Sequence, residues 1–196
     1  ATAAAIDAAS TVPASRWDAA PVPAGVEAAV ADRTRHRAFA RGTELFDGAR
    51  FAISPAEASA MDPQQRLLLE SGYAALRASG ADRTALSGSG TGVALGIYAT
   101  EFAQILSQSP LGRSVYAAAN TLSIASGRVS FALGLHGPCA SFETACSASL
   151  VACHSPVRAL QHDECEAHLA AGVNLMLLQS SSIGMAISGM TSVIGR

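Results

Sequence analysis

The sequence predicts an α/β fold, and three observations carry that expectation. A short apolar run over 93–98 follows a glycine-rich turn and has the length of a buried strand. A capped, amphipathic helical pattern starts at Asp62 and stops at Gly80. Residues 137–142 read as a strand entered from a turn, and they pass directly into a helical pattern over 147–161. Strands that alternate with helices in this way bury their apolar faces as layers.

Composition sets the limits. The chain has 196 residues, 49% of them apolar and 5% aromatic, with a formal net charge of −2. That is enough apolar material for a core built from small contact residues, and one domain over 1–196 is the expectation. There is no basic excess, so nucleic acid is not an expected partner. No apolar run reaches membrane-spanning length, and the N-terminus lacks the charged start of a secretion signal. Four cysteines, at 139, 146, 153 and 165, do not suggest a disulfide framework in a chain this long, so a reducing, cytoplasmic setting is expected.

In chain order, residues 1–42 are alanine-rich and weakly periodic, an irregular lead-in with a turn at 12–18 and a short helix near 24–32. Residues 46–55 read as an extended segment anchored by Phe46 and Phe51, and 56–60 as one helical turn. At 62–80 Asp62 is the natural N-cap and Pro63 suits the first helical position. Gln65 falls where a capping box puts it, Leu68, Gly72, Ala75 and Leu76 can share a face, and Gly80 ends the helix. The run Ser87-Gly-Ser-Gly-Thr-Gly92 precedes a strand, whereas a dinucleotide loop follows one, so a turn is the better reading. Residues 101–108 and 120–133 form helices, the second with Ile124, Arg128, Phe131 and Ala132 at three- and four-residue steps. Residues 166–175 read as a strand.

Cys146 lies where the strand at 139–143 hands over to the helix. The first amides of a helix lack intrahelical partners, and the helix dipole favours negative charge there. Both effects stabilise a thiolate, which makes a cysteine a nucleophile near neutral pH. Small neighbours (Ala145, Ser147, Ala148, Ser149) leave room for a long substrate. At about 100° per residue, Leu150, Cys153, Val157 and Leu160 form a stripe expected to face a core, with Cys153 a buried packing residue. Pro156 cannot donate to the carbonyl of Ala152 and is expected to bend or loosen that helix. His154 is expected to be a hydrogen-bonded structural histidine, and His136 a solvated one in the turn at 136–138. Cys153, His154, Cys165 and His168 lack the two-residue cysteine spacing of zinc sites, so no metal is expected.

The literal strings say more than the periodicity. Thr144-Ala-Cys-Ser-Ala-Ser-Leu-Val-Ala152, Asp62-Pro-Gln-Gln-Arg-Leu-Leu-Leu-Glu70 and Ser126-Gly-Arg128 resemble the β-ketoacyl synthases, above all the ketosynthase domains of modular polyketide synthases. The resemblance runs from about Thr11 to Arg196. It implies a thiolase-like fold, of which this sequence covers most of the first α/β half, a mixed sheet covered by helices. It implies that Cys146 accepts an acyl group as a thioester, with its own backbone N–H as one oxyanion donor. Decarboxylative Claisen condensation would then extend the chain. The family's catalytic histidines belong to a second half outside this sequence, so His36, His136, His162 and His168 carry no such role.

The same resemblance implies no bound cofactor, substrates carried on the phosphopantetheine of an acyl carrier protein, and a homodimer in which the strand near 139–143 pairs across the axis. Two other functions remain open at this level. One is a non-condensing homologue that only binds acyl chains or dimerises. The other is a relative that acts on coenzyme A thioesters, which the 62–70 string makes less apt. A half-fold alone is also expected to expose the apolar faces that its other half covers, and so to aggregate or remain molten.

Overall fold

The computed structural model describes residues 7–14, 16–17, 25–98 and 101–195. It divides into two compact units, Gly42–Leu175 and a smaller one formed by the N-terminal region to Arg41 with Met176–Arg196.

The larger unit is built on a parallel three-stranded sheet. Its strands are β3 (Gly92–Ile97), β4 (Cys139–Phe142) and β5 (His168–Val173), with β3 in the centre and in register with both neighbours. Every residue of β3 is buried, as a strand covered on both faces must be. Its alternation is one of size rather than polarity. Val93, Leu95 and Ile97 point to one face, and Gly92, Ala94 and Gly96 to the other.

The large-residue face is covered by α3 (Pro63–Ala78) and α6 (Leu122–Leu133). Leu68, Leu69, Tyr73 and Leu76 of α3 meet Ala125, Val129 and Leu133 of α6 over Val93, Leu95 and Leu169. The stripe expected on α3 is therefore present, with Leu69 and Tyr73 added and Ala75 exposed. The small-residue face is covered by α7 (Ala148–Gln161), which packs on β3 and β5. Short helices α2 (Pro55–Ala60), α4 (Arg83–Leu86) and α5 (Glu101–Ser107) complete the unit with 3-10 turns at Pro110–Arg113 and Val115–Ala119.

Buried polar side chains tie the start of α3 to its surroundings. Asp62 caps the helix, its Oδ1 accepting from the Gln64 amide at 2.8 Å. The capping box expected from Gln65 does not form. The Asp62 amide donates instead to Asn120 Oδ1 at 2.7 Å, and Gln65 Nε2 donates to the Ala119 carbonyl at 3.0 Å. Asn120 Nδ2 in turn donates to the Ala60 carbonyl at 2.7 Å, and Gln64 Oε1 accepts from the Leu175 amide at 3.1 Å. Burial pushes the Asp62 carboxyl above its ordinary value, against the opposing hydrogen bond from Gln64 and the nearby Arg66.

The structure also corrects the expectation for residues 46–55 and adds detail on α6 and the lead-in. Residues 46–55 are not extended. Asp47 caps a 3-10 turn over Gly48–Phe51, and the Phe46 and Phe51 rings stack with centroids 5.8 Å apart. On α6 the residues at helical spacing are not the packed face, for Phe131 is 91% exposed while Ala125, Ser126, Val129, Ser130 and Leu133 are buried. The described part of the lead-in holds a short helix within the expected stretch, Ala28–Asp32, and two short strands as well.

In the smaller unit β1 (Ala9–Thr11) pairs antiparallel with β2 (His36–Ala38), and α1 (Ala28–Asp32) packs with α8 (Gln179–Ile187). Ala24, the expected start of the first helix, lies outside the described residues, as does Asp18 at the end of the expected turn. Arg37 joins β2 to α8 by donating to the Ser182 carbonyl and hydroxyl. The mixture of strand directions expected of one sheet is thus divided between two sheets, parallel in the larger unit and antiparallel in the smaller.

Candidate active site

Cys146 is the middle residue of a 3-10 turn, Ala145–Ser147, that joins β4 to α7. The position is the one expected from the sequence. A strand of the parallel sheet ends at Phe142, and a helix that packs back onto the sheet begins at Ala148. Residues 143–147 are all exposed, and burial resumes at Ala148. Cys146 is therefore an exposed residue ahead of α7 rather than a buried one inside it.

The turn is sharp. Ala145 has φ of 52°, the left-handed region that costs an alanine about 1–2 kcal/mol. This conformation reverses the chain directly before the cysteine and presents residue 146 at the tip. An observed strain of this kind, at an exposed tip fixed by a sheet and a helix, is the pattern of functional turns. The turn is closed from within by one side chain. Ser147 Oγ donates to the Thr144 carbonyl at 2.8 Å and lies 2.9 Å from Thr144 Oγ1, while the Ser147 amide reaches the same carbonyl at 3.3 Å. No side chain caps α7, and among the described residues the Cys146 amide has no hydrogen-bond partner. The turn thus offers an exposed thiol and a free N–H on the same residue, which is what attack on a carbonyl and stabilisation of the resulting oxyanion require.

The Ser-Gly-Arg run at 126–128 helps hold the platform. Ser126 of the Ser-Gly-Arg run is linked to β4, its hydroxyl accepting from Ser141 Oγ at 2.9 Å and its amide donating to the same oxygen at 3.3 Å. Arg128 forms an ion pair with Glu57 of α2. Their hydrogen bonds join α6 to β4 and to α2.

The expected orientation of α7 is overturned. Its packed face is Ala148, Ala152, Pro156 and Ala159. Leu150 is 74% exposed, Val157 and Leu160 are largely exposed, and Cys153 is exposed rather than buried. The small residues win because the facing sheet surface is itself small, so the helix can approach until only alanine fits between. Pro156 does not interrupt the helix, which continues to Gln161.

His154 is exposed and has no hydrogen-bond partner among the described residues, so it is not the bonded structural histidine expected. His136 is exposed, as expected. His162 approaches Arg158 at 3.1 Å, and burial pushes the His168 imidazole below its ordinary value. No histidine hydrogen-bonds the Cys146 thiol among the described residues. Burial, with help from Glu164, pushes the Cys165 thiol up, away from ionisation. No group of three or more potential metal ligands occurs among the described residues, and no described helix is long and apolar enough to cross a membrane. The left-handed Ala145 and the Thr144–Ser147 contact were not read from the sequence. The string Thr-Ala-Cys-Ser held both, but nothing in its spacing distinguishes a 3-10 turn from the first turn of an α-helix.

Known proteins resemble this chain in sequence and in fold. The model of the β-ketoacyl synthase N-terminal domain matches residues 2–196. Polyketide synthase GfsB of Streptomyces halstedii is 43% identical over 164 residues, which is 83% of this chain and 3% of that protein. A mycocerosic acid synthase-like polyketide synthase of Mycolicibacterium smegmatis is 37% identical over 189 residues, 94% of this chain and 9% of that protein. Among solved structures, the ketosynthase from module 6 of the bacillaene synthase of Bacillus subtilis 168, as a cysteine-to-serine mutant, superposes with a TM-score of 0.86 at 32% identity, covering 98% of this chain and 32% of that one. The oxazolomycin ketosynthase domain OzmH KS7 of Streptomyces albus JA3453 gives 0.82 at 29% identity, covering 96% and 33%. The chain therefore spans about a third of these solved ketosynthases and a small part of the curated synthases.

Proposed function

The chain belongs to the β-ketoacyl synthase family, as part of its thiolase-like α/β fold, and from that premise we propose that it carries the acyl-accepting nucleophile of a polyketide-type ketosynthase, Cys146. The single observation that supports this most is the exposed strand–turn–helix corner, with Cys146 and its unpartnered amide at the tip.

The step assigned to the chain is transthioesterification. The Cys146 sulfur, as thiolate, attacks the carbonyl carbon of an acyl thioester and forms a new C–S bond. The carbonyl oxygen becomes an oxyanion, to which the Cys146 N–H donates. Collapse of that intermediate breaks the original C–S bond and expels the donor thiolate, which takes up a proton from solvent. The acyl group remains on Sγ. Carbon–carbon bond formation with a decarboxylating extender needs groups that no residue here supplies, so condensation is assigned to the complete ketosynthase. The family reading further gives the donor as the phosphopantetheine arm of an acyl carrier protein. It gives the partner of the unpaired edge of β4 as the same strand of a second copy. The exposed stripe Leu150, Val157, Leu160 fits a surface that the second half of the fold covers. All 196 residues are read as one partial domain, and the free cysteines suit the reducing compartment that a nucleophilic thiol needs.

The test is intact-mass analysis after incubation with an acyl thioester. One acyl adduct, mapped by peptide sequencing to Cys146 and absent in Cys146→Ala, is the expected result. No adduct on folded protein would overturn the nucleophile and favour a homologue that only binds or dimerises. Faster transfer from coenzyme A than from a carrier protein would overturn the donor.

A further inference from the structure

The row of the sheet directly beneath the cysteine turn is Phe142, Gly96 and Gly172, one residue from each strand and in register. The next positions along the same face in β3 and β5, Ala94 and Ala170, carry methyl groups. A Cβ at either glycine of the row would press on the start of α7, against backbone at Gly96 and against the Ser149 side chain at Gly172. A Cβ on Gly96 would lie 2.5 Å from the Ala148 carbonyl carbon and the Ser149 nitrogen, and 2.7 Å from the Ala148 oxygen. A Cβ on Gly172 would lie 2.2 Å from Ser149 Oγ and 2.9 Å from Ser149 Cβ. The first turn of α7 therefore rests on the strand backbones themselves, two and three residues after Cys146.

We propose that Gly96 and Gly172 are positioning residues for the Cys146 thiol, a backbone seat that fixes the height of the active-site turn above the sheet. The inference rests on the reading of Cys146 as nucleophile. Its logic is mechanical. Downstream, α7 is anchored by buried Ala152, Pro156 and Ala159. A methyl group added under residues 148–149 lifts only the near end, and the helix tilts about its far contacts. Residues 143–147 are exposed, and among the described residues their side chains bond only within the turn, through the Thr144–Ser147 contact, so little side-chain bonding resists that movement. The displacement is largest at the turn, where an error of about 1 Å is worth about a hundredfold in a transfer reaction. The two clashes also differ. Gly96 faces backbone, which gives only by moving the helix, whereas Gly172 faces the Ser149 side chain, which can be removed.

That difference supplies the test. In this protein, Gly172→Ala is expected to slow acylation of Cys146 by propionyl-N-acetylcysteamine about thirtyfold. Alkylation of the same sulfur by iodoacetamide needs no oxyanion geometry and is expected to change less than about threefold. Adding Ser149→Gly to Gly172→Ala removes both clashing atoms and is expected to restore acylation to within about threefold of the parent. A general packing defect would slow both reagents and would not be rescued. Parent-like acylation by Gly172→Ala, or failure of the double variant to recover, overturns the seat. If Gly172→Ala does not fold, the double variant still decides, since a folded and active double variant requires the clash to be the one described. If the parent itself takes no acyl group, the nucleophile reading fails separately. The seat is then judged by hydrogen exchange at residues 146–149, which Gly172→Ala must accelerate and the double variant must return to the parent rate.

Discussion

At the start of α3, Asp62 caps the helix and Asn120 holds the residues before it, while Gln64 and Gln65 reach other loops. Asp62, Gln64, Gln65 and Asn120 are each no more than 4% exposed. At the start of α7 no side chain caps the helix, the preceding turn holds a left-handed backbone at Ala145, and the whole turn is exposed. Both are N-termini of long helices packed on the same sheet. One is closed by side chains and withdrawn from water, so its polar groups serve the fold. The other is left open at a local cost, so its polar groups are available to a ligand. The most family-specific strings of the sequence fall at these two places, and the difference teaches that they are specific for opposite reasons.

The largest expected effect that separates the two ends is on reactivity. Cys146→Ala should abolish acyl uptake entirely, yet shift unfolding free energy by no more than about 0.5 kcal/mol, because the residue is exposed. Loss of adduct together with a large loss of stability would break the contrast. The mirror experiment is Asn120→Ala. It strands the Asp62 amide and the Ala60 carbonyl in a buried site and should cost about 3 kcal/mol in denaturant unfolding. Asp62 sharpens the point further. Asp62→Ala should cost about 1–2 kcal/mol through loss of the cap, while Asp62→Asn keeps the accepting oxygen and should cost much less. The pH dependence has a definite sign. Burial raises the Asp62 carboxyl in the folded state, so the folded protein holds that proton longer than the unfolded chain does. Its contribution is full below the ordinary carboxylate value and is lost as pH rises through the raised one. Asp62→Asn should remove that decline, which urea titrations between acidic and neutral pH would measure.

What the sequence made legible follows the same division. Local chemistry was readable. Asp62-Pro63 announced the start of α3, the apolar run announced β3, and a strand followed at once by a helical pattern put Cys146 at their junction. Pairings over long distances were not. Gln65 sits at the capping-box position, but Asn120, fifty-eight residues beyond Asp62, takes the amide that Gln65 was expected to bind. On α7 the spacing singled out Leu150, Cys153, Val157 and Leu160 as the stripe to face a core. The packed stripe is one of smaller residues, because β3 and β5 offer it Gly96 and Gly172, and that match exists only once the strands are paired. Phe46 and Phe51 suggested an extended segment, but Asp47 between them caps a 3-10 turn that stacks their rings. Strands β1 and β2 are three residues each, half-buried or exposed, and carry no alternation to find.

The smallest effect probes how little holds the open terminus. Ser147 Oγ has two acceptors within reach, the Thr144 carbonyl at 2.8 Å and the Thr144 hydroxyl at 2.9 Å. Thr144→Val removes only the second, and since both residues are exposed, water replaces what is lost. The expected cost is no more than about 0.5 kcal/mol in thermal or denaturant unfolding. Ser147→Ala removes both contacts and should cost more than Thr144→Val, but still well below Asn120→Ala, whose partners have no water to turn to. If Thr144→Val proved as damaging as Asn120→Ala, the cysteine turn would be a sealed structural joint like the start of α3. Its exposed thiol would then be a by-product of packing rather than the reason the turn stays open.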